Sequence, residues 1–299
     1  MMVGMPTIAI VSPGAMGSAL GRCWQAGGHR VVATAAGRSE RTRLLAHDLE
    51  LLPDLDAVVG VADLVVTICP PDQAGLVLQT VLERVLAAAH RSGPAPVVLD
   101  ANALSTSTVA GLASRTAAAG CGFVDGAVSG GPPRPGAEPS GSAMVYLSGE
   151  RAGWVASLAR DGFRTRVVGP DPGQASGVKM CTVSVYKGTT ALWLQALQTA
   201  RALGVTDVVL ADLAESEPDR VRSDARAIAV AASKGGRFVA EMEQIAQTQG
   251  AAGASPELFA GMAAVYARVA RSELARLTPE TARSIDDLDV VLGMLERTH

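Results

Sequence analysis

Residues 7–20 read TIAIVSPGAMGSAL, and the parsing of this stretch decides the fold. Ile8, Ala9, Ile10 and Val11 are a short apolar run of the kind that makes a buried strand. Ala15 to Ala26 then carries apolar residues at three- and four-residue spacing, which predicts a helix. Between strand and helix the dinucleotide fingerprint wants G-x-G-x-x-G. Its first glycine serves the tight turn, its second the approach of backbone to pyrophosphate, and its third the close packing of helix on strand. Gly14 and Gly17 occupy the second and third positions, and Ser12 stands in the first. Ser12 is small and Pro13 fixes its own φ, so the turn is kept and the helix N–H groups are left to face an anion. An ordinary βα turn is the alternative.

Working outward, short β-branched runs alternate with helix-like segments as far as about Gly169, which indicates a parallel sheet. Strands are expected at Thr7 to Val11, Val31 to Thr34, Leu64 to Ile68, Val97 to Leu99, Gly122 to Ala127, Met144 to Leu147 and Arg166 to Val168, with a weaker one near Leu49 to Leu52. A further helix is expected over Gln73 to Ala89. After GPDPGQAS the β-runs vanish and Ala, Leu, Arg and Glu dominate, so the Pro and Gly cluster at 169–173 marks a boundary. The expected organisation is α/β, a doubly wound parallel sheet over residues 1–170, followed by an all-helical domain over 171–299. Its spine is a helix from about Ala175 to Leu203, roughly 40 Å long at 1.5 Å per residue. That helix is apolar on most sides and calls for wrapping by other helices or a second subunit. Ser255 in SPEL and Thr278 in TPET each place a hydroxyl before a proline, a helix-start signal.

With 299 residues the chain is long enough for two cores, and a net charge of -3 with 18% charged residues offers no cationic surface for nucleic acid or an anionic membrane. Small-molecule partners are expected. The longest apolar stretch holds Lys179, Lys187, Gln195, Gln198 and Arg201, which argues against a membrane span. Strand residues begin by Thr7 with no charged-then-apolar leader, so a cytoplasmic protein is expected. Cys23, Cys69, Cys121 and Cys181 are far apart and read as reduced, buried thiols. His29, His47, His90 and His299 lack ligand spacing, and no metal site is expected.

Several residues point to chemistry. At the end of the second predicted strand, where an acid accepts from the ribose 2′-hydroxyl in NAD enzymes, VVATAAGRSERTR supplies Arg38 and Ser39, with Arg41 and Arg43 beyond. A guanidinium fork plus a hydroxyl suits a 2′-phosphate, so NADP is the expected cofactor. Cys69, Pro70 and Pro71 after one strand, and Asn102 after the next, would line the cofactor at the carboxyl edge of the sheet. In DGAVSGGPPRPG, Ser129, Gly130 and Gly131 expose backbone N–H groups able to receive a carboxylate, and Arg134 lies in the same loop. Lys179 opens the long helix, and a partly buried ammonium there is suited to give a proton to a carbonyl oxygen. Tyr186 falls near the same helix face, with Lys187 displaced by roughly 80°.

These stretches, in this order, resemble the β-hydroxyacid dehydrogenase superfamily, which includes 3-hydroxyisobutyrate and 6-phosphogluconate dehydrogenases. SPGAMG resembles its G-x-G-x-M-G, GRS its N-R-[ST], DGAVSGG its D-A-P-V-S-G-G and GQASGVKMC its G-x-G-x-x-x-K. DANALS, VKMCTVSVYKGTTAL and RFVAEMEQIA are similar to a phosphogluconate-dehydrogenase-like branch. The resemblance implies a Rossmann-like sheet domain and a helical domain, usually in a homodimer, with the active site between domains. It implies that Ser12, Pro13, Gly14, Ala15, Met16 and Gly17 form the pyrophosphate turn, that Arg38 and Ser39 hold the 2′-phosphate, and that Ser129, Gly130 and Gly131 hold the substrate acid. Lys179 would be the general acid/base.

Departures from the pattern are Ser12, then Thr182 and Val183 where better-known members carry asparagines, and Glu241 and Glu243 in place of a K-D pair. The expected activity is hydride transfer between NADP(H) and the carbinol or carbonyl carbon of a small hydroxy or keto acid. Imine reduction on the same scaffold and a catalytically silent NADPH-binding sensor are the alternatives.

Overall fold

A computed structural model describes residues 5–88, 94–138, 142–159 and 162–297. The chain divides into two compact units at Met180 and Cys181, inside one long helix.

The first unit holds an eight-stranded sheet. Its strands are β1 (Thr7–Ile10), β2 (Arg30–Ala33), β3 (Glu50–Leu51), β4 (Leu64–Thr67), β5 (Val97–Asp100), β6 (Gly122–Ser129), β7 (Ala143–Ser148) and β8 (Phe163–Gly169), in the spatial order β3-β2-β1-β4-β5-β6-β7-β8. The order reverses beside β1, and in open α/β sheets ligands collect at the carboxyl ends of strands next to such a reversal. The strands of the sheet centre, β1, β4 and β5, are almost wholly buried because helices cover both faces. Alternate residues feed the two cores. Ile8, Ile10, Leu64, Val66 and Leu99 pack with Leu20, Cys23 and Trp24 of α1 (Ala15–Ala26) and with Val155 of α6 (Ala152–Ser157). Ala9, Val11, Val65 and Val98 pack with α3 (Leu55–Val61), α4 (Ala74–Ala87) and α5 (Thr106–Ala118). Between β2 and β3 lies the short α2 (Glu40–Leu45).

Predicted and observed strands agree in number and order. β6 and β8 run two or more residues beyond expectation, and Ala89, the expected end of α4, lies outside the described residues. The sheet is not parallel throughout. β7 runs antiparallel to β6, and β8 runs parallel to β7. α6 joins β7 to β8, a crossover of the kind that returns a strand in the same direction, whereas among the described residues between β6 and β7 there is no α-helix.

The second unit is helical. The spine α7 (Gln174–Ala202) is followed by α8 (Thr206–Ser216), α9 (Pro218–Ala232), α10 (Gly235–Ala251), α11 (Glu257–Val269), α12 (Pro279–Arg283) and α13 (Leu288–Glu296). Leu194 and Leu197 of α7 pack against Ile228 and Ala229 of α9 and against Val291, Leu292 and Leu295 of α13. The rest of the spine is not fully wrapped: Val185, Tyr186 and Leu192 are exposed, as is Leu203 just past its end. Thr278 caps α12 as expected, its hydroxyl accepting from the Thr281 N–H at 3.2 Å. Ser255 does not cap α11, because its hydroxyl turns to the Glu257 carboxylate at 2.6 Å and the helix begins one residue after Pro256. The thiols also depart from expectation. Cys23 and Cys121 are buried, Cys69 is half-buried, and Cys181 is exposed on the spine; none of the four is in a disulfide. Among the described residues no helix is long and apolar enough to cross a membrane.

Candidate active site

The turn after β1 is tight despite the missing glycine. The Gly14 N–H donates to the Ser12 carbonyl at 2.8 Å, and the Ser18 hydroxyl donates to the Pro13 carbonyl at 2.6 Å. Gly17 is needed for packing: a Cβ there would lie 2.6 Å from the Ser12 carbonyl oxygen and 3.0 Å from Cγ2 of Ile68. Gly14 has nothing within 4 Å of the equivalent position, so backbone is open to a ligand. No side chain caps α1, which leaves its first N–H groups, beginning at Ala15 and Met16, for an anion. The Ser12 hydroxyl is buried and has no hydrogen-bond partner among the described residues. An open glycine, an uncapped helix start and an orphaned hydroxyl together fit a pyrophosphate.

After β2 the chain places Thr34, buried, where an acid would read the ribose; its hydroxyl accepts from the Ala36 N–H at 3.2 Å. Arg38 is exposed, with a guanidinium nitrogen 3.5 Å from the Val11 carbonyl at the end of β1. Ser39 caps α2, accepting from the Thr42 N–H at 3.3 Å. Arg41 and Arg43 are exposed on α2. The fork therefore lies across the end of the strand that carries the pyrophosphate turn.

The loops after β4 and β5 are tied together. The Asn102 Oδ1 accepts from the Cys69 N–H at 2.6 Å, and its amide donates to Asp100 at 2.8 Å. Asp100, 1% exposed, also accepts from the Thr67 hydroxyl at 2.9 Å and the Asn102 N–H at 3.2 Å. Burial pushes its carboxyl up to about 6 against those hydrogen bonds, with Asp125 on the next strand adding to the rise. Burial likewise pushes the Cys69 thiol up to about 12, so this cysteine is a wall and not a nucleophile. Pro70 and Pro71 follow it into a 3-10 turn, Pro71–Gln73. Asn102 thus holds the two loops in register.

β6 carries the third element. Ser129, Gly130 and Gly131 are exposed at its end, Gly130 with φ of 104°, and Arg134 is exposed beyond them. Four residues before Ser129, the Asp125 carboxylate is buried. It accepts from the Ser148 hydroxyl at 3.0 Å, the Gly173 N–H at 2.9 Å, the Ser176 N–H at 2.9 Å and the Ser176 hydroxyl at 2.6 Å. The Ser148 hydroxyl in turn accepts from the Ala175 N–H at 3.1 Å. Lys179, half-buried, stands one turn further along α7. Tyr186 is 71% exposed. Lys187 has its ammonium paired with Glu241 of α10 and 4.0 Å from the Phe238 ring centroid, and its carbonyl accepts from the Tyr266 hydroxyl. An acid would reach that ammonium only by sharing it with Glu241.

Residues 7–156, half of the chain, match the model of the NAD binding domain of 6-phosphogluconate dehydrogenase. The chain belongs to the β-hydroxyacid dehydrogenase superfamily. Residues 200–269 match a second model, a domain of unknown function, DUF1932. No curated protein matches the sequence. Among solved structures, a conserved hypothetical protein from Sinorhizobium meliloti 1021 is 25% identical, with 98% of this chain and 96% of that one covered and a TM-score of 0.66. The 3-hydroxyisobutyrate dehydrogenase of Mycobacterium tuberculosis, solved with L-serine, is 19% identical over 97% and 99%, also at 0.66. A reductive aminase from Aspergillus terreus, solved with NADPH, cyclohexanone and allyl amine, shares the fold at 18% identity over 97% and 99%, with a TM-score of 0.54. For a superfamily member with this domain, a nicotinamide cofactor and an oxidoreductase activity are indicated.

Sequence reasoning missed Asp100, Ser148 and Ser176, and took Asp125 only as the start of a motif. The signal was present. An aspartate at the end of VVLD and another inside GFVDGAV are acids in otherwise apolar strands, and a buried carboxylate demands donors.

Proposed function

We propose that the chain is an NADP(H)-dependent oxidoreductase that transfers hydride between the nicotinamide and the carbinol or carbonyl carbon of a small hydroxy or keto acid. The observation that carries the reading is the turn after β1, open at Gly14 and closed at Gly17, with the Arg38 guanidinium laid across the same strand end. Gly14, Ala15 and Met16 would hold the pyrophosphate, and Arg38 and Ser39 the 2′-phosphate. The bound dinucleotide supplies the hydride. Residues 1–170 form the cofactor domain in this reading, and 171–299 the substrate and dimerisation domain.

Ser129, Gly130, Gly131 and Arg134 would bind the substrate acid, with Tyr186 and Lys187 further along α7. Lys179 acts as general acid/base: its ammonium gives a proton to the carbonyl oxygen as the carbon gains hydride, and the free amine takes the proton back in oxidation. A homodimer is supported by the exposed apolar residues Val185 and Leu192 on the spine and Leu203 just past its end, and a cytoplasmic location is part of the same reading.

The test is NADPH oxidation with a panel of keto acids, semialdehydes and cyclic imines. Turnover of a keto acid or semialdehyde is expected, with Lys179→Ala lowering kcat by about 100-fold or more. Turnover of imines alone would make the chain an imine reductase, and binding of NADPH without turnover of any of them would make it a sensor.

A further inference from the structure

The long helix that carries Lys179 does not cap itself. Its first turn exposes N–H groups that an α-helix cannot satisfy internally, and the partners come from the sheet instead. Asp125 of β6 takes the Gly173 and Ser176 N–H groups and the Ser176 hydroxyl, while Ser148 of β7 takes the Ala175 N–H and donates to Asp125. Gly173 has φ of 104°, the left-handed conformation that turns its N–H toward the carboxylate. All four contacts of Asp125 are donors, so the side chain is an acceptor throughout, placed at the positive end of the helix dipole. Asp125, Ser148 and Ser176 are each at most 1% exposed.

We propose that Asp125 is a positioning residue that fixes the first turn of α7, and with it Lys179, relative to the loop Ser129–Gly131. Both ends of that relationship belong to one strand: Asp125 holds the helix, and the loop begins four residues later on the same β6. A rigid strand thus sets the separation between the group that moves a proton and the group that would hold the substrate acid. The value of such placement is that a misplacement of about 1 Å can slow a reaction by about 100-fold. The role of Asp125 rests on the acid/base reading of Lys179, but the anchoring does not.

Two measurements separate them. Asp125→Asn keeps the size of the side chain, removes one acceptor and turns an amide N–H toward existing donors. Hydrogen exchange over residues 174–180 should become at least about tenfold faster, with β1 and β4 unchanged, because hydrogen bonds to a charged group are lost locally. The rate at which Lys179 is acylated by a water-soluble anhydride should change by about threefold or more across the pH range, a readout that needs no substrate. In a double-mutant cycle, Asp125→Asn should lower kcat by about tenfold in the native background, with the Kd for NADPH unchanged, and should cost little once Lys179 is alanine. Ser176→Ala, which removes one of the four contacts, should give the same pattern at smaller amplitude and serves if the Asn variant fails to fold. Unchanged exchange in the first turn would overturn the anchoring, and an equal cost of Asp125→Asn with and without Lys179 would overturn positioning. A Lys179→Ala variant with undiminished kcat would overturn the acid/base reading instead, leaving exchange and acylation to decide the anchor.

Discussion

A Cβ on Gly17 would lie 2.6 Å from the Ser12 carbonyl oxygen, whereas one on Gly14, three residues earlier, would meet nothing within 4 Å. The two glycines of one turn are therefore there for different reasons. Gly17→Ala forces helix and strand apart and should destabilise by about 1 to 3 kcal/mol. Gly14→Ala sits at the helix N-cap and should cost under about 1 kcal/mol, while weakening NADPH binding by closing the approach to the backbone. Denaturant melts and dinucleotide titrations of both variants check this pair.

Arg38 is the test of cofactor choice. Its guanidinium is free of any carboxylate contact among the contacts described and lies at the end of β1. Arg38→Ala should cost about 1.5 to 3 kcal/mol of NADPH binding, the range for charged hydrogen bonds, and leave NADH binding unaltered. Equal losses for both dinucleotides would refute the 2′-phosphate assignment.

Asp100 should write itself into the pH dependence of stability. Its folded carboxyl titrates near 6, chiefly through burial, against about 3.9 in an unfolded chain. The folded state therefore holds the proton more tightly between those values. The contribution is fully present below about 4 and is lost as pH rises through about 6, on the order of 3 kcal/mol. Asp224, also raised by burial to about 6 and tempered by Arg220, adds a slope of the same sign. Unfolding free energies of Asp100→Asn and native protein, measured from pH 4 to 8, should converge at low pH and favour the variant at high pH.

In the helical unit, Glu241 is 1% exposed and serves both Lys187 and Arg237. Glu241→Gln strips the half-buried Lys187 of its counter-charge and should cost about 3 kcal/mol. Arg237 is 62% exposed, and Arg237→Gln should cost less than about 1 kcal/mol. Urea midpoints of the two variants give the comparison.

How much of this was legible in the sequence follows from where each signal resides. The strands β1, β4 and β5 are continuous apolar runs, and a strand buried on both faces must look that way. α1 was read to its end residues because its periodicity, and the glycine turn before it, are local. The direction of β7 was not legible, since it depends on how the chain returns from β6 and not on the residues of β7 itself. Thr278 and Ser255 carry the same local signal, each before a proline and two residues before a glutamate, yet only Thr278 caps while the Ser255 hydroxyl bonds Glu257, a difference the spacing does not show. Of the candidate site, the glycines, Arg38 and Lys179 were proposed from motifs. The partners of Asp125 lie 23 to 51 residues away, and the pairing of Lys187 with Glu241 spans two helices, so neither could be read from spacing.

β6 is twice as long as β5. In their register Asp100 lies beside Asp125, so Gly126 to Ser129 project beyond the neighbouring strand and pair only with β7. That projection is a spacer: four residues, roughly 13 Å at 3.3 Å each. Its even count keeps Asp125 and Ser129 on one side of the pleat, so adding or deleting a single residue would send the tip to the opposite side, whereas a pair would only lengthen the reach. If Ser129 to Gly131 hold the substrate acid as proposed, that backbone length sets how far their grip stands from the anchored helix.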